Sequence, residues 1–385
     1  MKIALFTESY LPVLNGVTRS LDTLVPGLRR RGHETMIYAP RARGYADVDP
    51  CVRRFPSYYF WGARDYPLAA PFSPRLFAEF ARQGFDVVHL QTPFALGLCG
   101  LILARRHRIP VIAHMHTLYV DYAHYFPGPR AATRSVIRKM MRWFYSRADS
   151  VIVPSPSVRT LLAGYGVQRP IDVIPTGINP PSVTERSAAR AAFNLPKDSP
   201  VALYTGRLAT EKNIGLMLGA FEKIHRRIPE SRLLILGGGP ARAEAEEMAR
   251  SMVEGAVIFA GPRSHSDVMI ACSAVDIFLF PSQTDTQALS VVEAMACGTP
   301  PVVVDAFGPA DFVKDGVSGR VVAPTVDAMA EAALVLLLNP AERERLAAGA
   351  RSAAAGLTAD AMTESVLEVY GRVLQTRRST VAAAG

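Results

Sequence analysis

Short apolar runs of strand length recur along the chain, separated by segments long enough for a helix. In the first half they are Ile3–Thr7, Thr35–Ala39, Val87–Leu90, Pro110–Met115, Val151–Pro154 and Asp172–Pro175. In the second half they are Val201–Tyr204, Leu233–Leu236, Val257–Ala260, Ile277–Phe280, Pro301–Val304 and Arg320–Val322. These runs are rich in Val, Ile and Leu without polar alternation, the pattern of parallel strands buried on both faces. Between them, Ile214–Ile228 and Thr325–Leu338 space their apolar residues at the helical period. Strand–helix alternation twice over predicts an α/β chain of two doubly wound, Rossmann-like domains. Pro180, Pro181 and a polar stretch interrupt the pattern within Gly177–Ser187. The expected domains are therefore 1–178 and 179–360. Residues 361–385 would form a C-terminal helix after the second sheet, about Ala361–Gln375, and a tail frayed from Arg377. Ligands of such sheets bind at the carboxyl ends of strands, so two domains facing each other across a cleft would hold the active site there.

Composition narrows the class. At 385 residues and 49% hydrophobic content the chain is globular and long enough for two cores. Its cysteines, Cys51, Cys99, Cys272 and Cys297, form no Cys-x-x-Cys pair, so neither a disulfide framework nor a zinc site is expected, and a reducing cytosol fits. Met1–Phe6 is a short apolar run stopped by Glu8, unlike a signal peptide. The longest apolar run, Ala95–Ala104, is about half of the ~20 residues a bilayer crossing needs. Any membrane contact is thus expected to be peripheral. The net charge of +9 is uneven: residues 1–180 carry 23 Lys/Arg against 11 Asp/Glu, a net +12, and the remainder carries −3. A basic half attracts nucleic acid or anionic lipid, or is merely solvated, and composition leaves these open.

Two segments of the second half carry anion chemistry. After the run ending at Tyr204 comes Thr205-Gly206-Arg207-Leu208-Ala209-Thr210-Glu211-Lys212-Asn213. Arg207 and Lys212 in a loop before a helix suit a diphosphate, whose charge they would stabilise as it leaves. The bland reading is a solvated Glu–Lys pair. The run ending at Phe280 leads into a helix expected over Ala288–Ala296, whose first amides, around Gln287, Ala288 and Leu289, could hold a phosphate oxygen. Asp285 lies before that helix and Glu293 within it; carboxylates accept hydrogen bonds from sugar hydroxyls. Alternatively Asp285 is an N-cap and Glu293 a surface charge.

The string Asp285 to Glu293 resembles the E-x7-E signature of family-four glycosyltransferases, and Gly206-Arg207-Leu208 with Glu211-Lys212-Asn213 looks like the donor-phosphate loop of that family. Phe6-Thr7-Glu8-Ser9-Tyr10-Leu11-Pro12, Asn15-Gly16-Val17 and Leu236-Gly237-Gly238-Gly239-Pro240 also match, in order, over nearly the whole chain. The resemblance implies the two-domain GT-B fold and retaining transfer of a hexose without an obligate metal or other cofactor. It implies that Glu293 binds the nucleotide ribose, Asp285 the sugar, and Arg207 and Lys212 the diphosphate. Gly16 and Gly238 would let the backbone approach the donor, Arg263 would lie near the base, and His116 would contact the sugar near the reacting carbon. A satisfied core histidine is the other reading of His116. The first acidic position holds Asp where the family usually has Glu, which loosens any inference about the sugar.

The only Asp-x-Asp, Asp47-Val48-Asp49, reads as a solvated turn rather than a metal site. Retention needs either a covalent intermediate, for which Asp121 is a candidate, or front-face attack, which is the expectation. His116-Thr117-Leu118-Tyr119-Val120-Asp121-Tyr122 is similar to a segment of diacylglycerol glucosyltransferases, as is Thr286-Gln287. That branch implies UDP-glucose or a similar nucleotide sugar as donor and a lipid acceptor. Two stretches suit an anionic membrane surface on the cytoplasmic side. One holds Phe55, Tyr58, Tyr59, Phe60, Trp61, Tyr66, Phe72, Phe77 and Phe80 near Arg53, Arg54, Arg64 and Arg75. The other, Arg130–Arg147, mixes Arg134, Arg138, Lys139 and Arg142 with Ile137, Met141, Trp143 and Phe144. Their aromatics could equally be core. No nucleic-acid partner is expected. Rival readings are a mannosyl- or galactosyltransferase acting on a phosphoinositide, soluble sugar or polysaccharide, and an inactive nucleotide-sugar or membrane-binding module. A nicotinamide-dependent oxidoreductase is disfavoured, because Arg242 stands where the third glycine would be and no acidic ribose ligand ends the next strand.

Overall fold

The structure, a computed structural model, describes residues 1–59, 67–71, 74–125, 129–179 and 184–382. Phe60, Trp61, Arg64, Tyr66, Phe72, Phe126, Pro180 and Pro181 lie outside the described residues, as do the side chains of Arg75, His124 and Tyr125. The chain divides into two compact units, Met1–Gly177 with Ala359–Gly385, and Ile178–Thr358.

In the first unit the strands are β1 (Lys2–Phe6), β2 (Glu34–Pro40), β3 (Val52–Phe55), β4 (Ser57–Tyr59), β5 (Pro67–Ala69), β6 (Val87–Leu90), β7 (Val111–His114), β8 (Ser150–Val153) and β9 (Ile171–Val173). Seven of them form one parallel sheet in the order β3-β2-β1-β6-β7-β8-β9, while β4 and β5 pair as a separate antiparallel ribbon. The second unit contains β10 (Val201–Thr205), β11 (Arg232–Leu236), β12 (Val257–Gly261), β13 (Ile277–Phe280), β14 (Pro301–Val304) and β15 (Arg320–Val322). Their order is β12-β11-β10-β13-β14-β15, again all parallel. Both sheets reverse their winding once, between β1 and β6 and between β10 and β13. Loops leaving adjacent strands in opposite directions open a crevice at that point, which is where doubly wound sheets take ligands.

The apolar runs at the centre of each sheet become strands because they are covered on both faces, whereas the edge strands β9, β12 and β15 are only partly buried. Val87, Val88, His89 and Leu90 of β6 are all buried, as are all residues of β13. Strand β3 was not legible in the pattern. It is the sheet edge, and Val52-Arg53-Arg54-Phe55 buries only its first residue.

The last helix, Ala359–Ala382, is longer than its apolar pattern predicts, and the expected frayed tail from Arg377 is helical through Ala382. It packs on the first unit, not on the sheet that precedes it. Met362, Val366, Val369, Tyr370 and Val373 join the core of Leu21, Leu24, Leu28 and Ile152. Gly27 allows the approach, since a Cβ there would lie 2.2 Å from Thr363 Oγ1. Arg31 pairs with Asp360 at 3.1 Å and Glu364 at 3.0 Å. Deeper in, Tyr370 Oη lies 2.7 Å from His89 Nδ1.

His89 begins a column of rings. His114 lies parallel to it with centroids 5.6 Å apart, and His116 stacks on His114 at 3.9 Å. Among the described residues His114 has no hydrogen-bond partner at either nitrogen, and His89 has none at Nε2. Burial therefore favours the neutral rings, pushing His89 down to about 3 and His114 well below the ordinary 6.5.

Two outcomes are expected. Tyr370→Phe removes the hydrogen bond to His89 and should cost about 1–3 kcal/mol in urea unfolding, because the imidazole then loses its partner. As the pH falls below about 6.5 the unfolded chain takes up protons that the folded histidines refuse. Stability should therefore decline toward pH ~3, by up to about 1.4 kcal/mol per pH unit for each ring. Thermal melting of His114→Phe between about pH 7 and pH 5 should show a shallower decline than the native chain. Equal slopes would count against a neutral His114.

Candidate active site

The second sheet's switch point is built by the loops that follow β10 and β13. The first loop begins at Gly206, which has φ +156° and would place a Cβ 2.9 Å from Tyr204 Oη. It is seated by its neighbour after β11. Leu208 N donates to Gly238 O at 2.9 Å, and Cβ atoms at Gly237 and Gly239 would lie 1.9 Å from Gly206 O and 2.2 Å from Leu208 O. The Gly-Gly-Gly run thus serves close packing of two loops, a use quite different from a dinucleotide fingerprint. A 3-10 turn, Thr210–Lys212, then ends on Asn213, held left-handed at φ 53°, from which the helix Ile214–Arg227 starts without a side-chain cap.

The second loop, Pro281–Ala288, is pressed against the first and against the helix Phe307–Phe312. Thr284 Oγ1 donates to Glu211 O at 3.3 Å, and Gly308 N donates to Asp285 O at 3.1 Å. A Cβ at Gly308 would lie 2.0 Å from Thr286 O. Ala288 is forced into the left-handed region at φ 59°, a conformation that disfavours alanine by about 1–2 kcal/mol. The helix Leu289–Ala296 begins there, again without a side-chain cap, and Gln287 is buried just before it. Such strain at the mouth of a sheet is held by its surroundings and marks sites where geometry matters more than local stability.

Across these two loops Lys212 Nζ lies 2.7 Å from Asp285 Oδ1 and 2.8 Å from Oδ2. Their side chains are 13% and 21% exposed, so the pair is shielded but not sealed. Asp285 is therefore neither an N-cap nor a solvated charge. Its short side chain brings both oxygens onto the ammonium. Arg207 stands over Glu211 at 4.0 Å and is about one-third exposed. Glu293 is mostly buried in the helix that follows, and its Oε1 lies 3.3 Å from His265 Nδ1. His265 was not singled out from sequence. Its signal was faint: a polar residue opening the helix that leaves β12. Arg263, beside it, is exposed and donates from Nε to Ala260 O at 3.0 Å. Arg207, Lys212, Gly238, Asp285, Gln287, Ala288 and Leu289 thus all lie on loops or at a helix start at the carboxyl ends of β10, β11 and β13, with Glu293 one turn further along the helix after β13.

Gly16 and His116 belong to the first unit. Gly16 is the exposed first residue of the helix Gly16–Arg30, which Asn15 caps by accepting from Thr18 N. A Cβ there would meet nothing within 4 Å among the described residues, so their packing does not require glycine. His116 Nε2 lies 2.8 Å from Gln91 Oε1, and burial of its surroundings pushes it down to about 3. The ring is neutral at physiological pH, and Gln91, which directly follows β6, is the partner that sequence reading overlooked. Glu8, which the opening motif includes without assigning it a role, follows β1. Its carboxylate accepts from Leu96 N at 2.6 Å and Ala69 N at 3.1 Å, tying the β4–β5 ribbon and the helix Ala95–Arg106 to this switch point. Burial raises the Glu8 carboxyl above its usual range, and those two hydrogen bonds oppose the rise.

Several expectations change. Asp47 and Asp49 are not in a solvated turn: Asp47 pairs with Arg54 at 2.7 Å and Asp49 with Arg29 at 2.8 Å. Of the aromatics expected at a membrane, Phe80 is core, packed at tilted angles among Phe6, Tyr38 and Phe85. Ile137, Met141 and Phe144 are buried too, whereas Trp143 is exposed. Asp121 is half-buried, and Arg134 approaches it at 3.4 Å. Among the described residues no helix is long and apolar enough to cross a membrane.

The family model for Glycosyltransferase Family 4 matches residues 14–181, and that for Glycosyl transferases group 1 matches residues 185–353. The chain is 34% identical over 313 residues to the alpha-monoglucosyldiacylglycerol synthase of Streptococcus pneumoniae, covering 78% of this chain and 70% of that protein. It is 31% identical over 398 residues to a GDP-mannose-dependent alpha-mannosyltransferase of Mycolicibacterium smegmatis, covering 100% of both. The solved structure of sucrose-phosphate synthase from Thermosynechococcus elongatus superposes with a TM-score of 0.79 over 97% of this chain and 99% of that one, at 22% identity, a likeness of fold alone. The fold class is thus GT-B, and the chain is a glycosyltransferase that belongs to glycosyltransferase family 4.

Proposed function

We propose that this glycosyltransferase moves a hexose, with UDP-glucose as the first candidate donor, onto a lipid such as diacylglycerol at the cytoplasmic face of a membrane, with retention at the anomeric carbon. The observation that carries the donor assignment is the Lys212–Asp285 pair. A sugar nucleotide joins an anionic diphosphate directly to a ring of neutral hydroxyls. A cation 2.7 Å from a carboxylate offers one partner to each part at the spacing of a single glycosyl phosphate. An ammonium has three N–H donors and Asp285 engages two, so one is left for a phosphate oxygen. Arg207 adds a second cation, and the first turn of Leu289–Ala296 adds helix-end amides. Glu293 is read as the ribose acceptor, with Arg263 near the base and Gly16 and Gly238 as points of close backbone approach.

In this reading the C1–O bond to the diphosphate breaks as positive charge develops on the ring. The acceptor hydroxyl bonds to C1 from the face the diphosphate leaves, and its proton passes to the departing phosphate oxygen. Arg207, Lys212 and the helix-end amides stabilise the leaving charge, so neither a metal nor another cofactor is needed. His116, neutral and oriented by Gln91, is read as a contact to the sugar. Asp121 is held by Arg134 and takes no covalent part.

The lipid acceptor is supported by the glucosyldiacylglycerol synthase relative. A mannosyl donor is the second reading, favoured by the mannosyltransferase relative that matches from end to end. Incubation with UDP-glucose, UDP-galactose and GDP-mannose and with solubilised diacylglycerol or phosphatidylinositol separates the two by product mass. The expected product is a monoglucosyl lipid with an α-linkage by NMR, formed at the same rate in EDTA. Lys212→Ala and Glu293→Ala should each lower kcat/KM by about 10²-fold or more while far-ultraviolet circular dichroism stays native. Mannosyl transfer alone would replace the first reading with the second. A glycosyl adduct trapped on Asp121 or any other carboxylate would rule out front-face attack.

A further inference from the structure

The helix Arg130–Tyr145 turns an unusual face to water. Its inward side is Ile137, Met141, Phe144 and Tyr145. At 100° per residue Val136, Met140 and Trp143 fall within about 60° of one another, away from those four. They are 65%, 36% and 44% exposed. An amphipathic helix docked on its own domain would ordinarily present polar groups there. This one carries a second apolar stripe and contains no acidic residue.

The cations around it divide into two sets. Arg134 is turned toward Asp121 at 3.4 Å, and Arg138 lies over the Tyr165 ring at 5.6 Å. Arg142 lies against Gly166, on the same side of the helix as Arg138, whereas Lys139 borders the stripe and the Arg147 guanidinium sits 4.0 Å from the Trp143 ring centroid. Among the described residues neither Lys139 nor Arg147 is ion-paired with a carboxylate. Exposed Trp, Met and Val beside uncompensated cations fit the headgroup boundary, where an indole is partly desolvated and each cation near an anionic surface contributes about 1 kcal/mol. The net +12 of residues 1–180 adds long-range attraction of the same sign.

We propose that this face docks the protein on an anionic phospholipid bilayer, with Val136, Met140 and Trp143 entering the headgroup boundary and Lys139 and Arg147 meeting lipid phosphates. The assignment rests on the reading of the acceptor as a membrane lipid.

The test uses the full chain carrying Trp61→Phe, so that Trp143 is the sole tryptophan. Flotation with vesicles of phosphatidylglycerol and phosphatidylcholine is expected, with a blue shift of Trp143 emission and its quenching by brominated acyl chains. In a second chain that keeps Trp61, Val136→Glu with Met140→Glu and Trp143→Glu should reduce flotation by about tenfold or more, with unchanged melting temperature and unchanged transfer to a detergent-solubilised acceptor. The docking face is overturned if the native chain does not float. It is equally overturned if vesicles carry the protein while Trp143 emission stays unshifted, or if phosphatidylcholine alone binds as well. Capture of Trp143 by an acidic protein with no shift on vesicles would assign the stripe to a protein partner and also overturn it. Failure of the lipid reading looks different: Trp143 enters the bilayer, yet no lipid is glycosylated in detergent.

Discussion

Two loops that leave adjacent strands in opposite directions meet in the second unit, and the charged contact joining them is the ion pair of Lys212 and Asp285, beside the hydrogen bond from Thr284 to Glu211 O. Each side chain alone would be a poorly solvated charge, 13% or 21% exposed. Together, with two oxygens on one ammonium, they satisfy each other and fix the distance between the loop after β10 and the loop after β13. Backbone packing sets up this encounter. Gly237 and Gly239 let the β11 loop lie on Gly206 and Leu208, and Gly308 lets the chain press on Thr286. The left-handed alanine at 288 is the local cost of that tight arrangement.

The first unit solves its own switch point differently. Where the second uses an ion pair, the first buries a lone carboxylate, Glu8, and satisfies it with the amides of Leu96 and Ala69. Beside it stands a column of neutral imidazoles, His89, His114 and His116, anchored at its base by Tyr370. The C-terminal helix is therefore more than a trailing element. It closes the core beneath the column that carries His116, which links the end of the chain to a residue read as functional.

Much of the architecture was visible in the residues. Both sheets were, because strands buried on two faces must be apolar throughout, as in Val201–Tyr204 and Ile277–Phe280. The ribbon β4–β5 and the edge strand β3 were not, since Arg53 and Arg54 break any apolar run and one face of an edge is open. Arg207, Lys212 and Asp285 stood out because charges between a buried strand and a helix are rarely there for packing, and Glu293 because of its spacing from Asp285. Gln91 and His265 did not, being polar residues at strand ends whose partners lie elsewhere in sequence. The split of Arg130–Arg147 into a buried stripe and an exposed one was likewise hidden, since apolar residues occur on both sides of that helix.

The order of elements, the family motifs and the imbalance of charge are properties of the chain read locally, and residues alone determined them. Which side chains meet was decided only in three dimensions. Lys212 and Asp285 are 73 positions apart and His89 and Tyr370 are 281 apart. Both contacts depend on non-local packing: β10 lying beside β13 in one case, the last helix returning to the first sheet in the other. Periodicity records whether a residue is buried, but it carries no label for the partner that buries it.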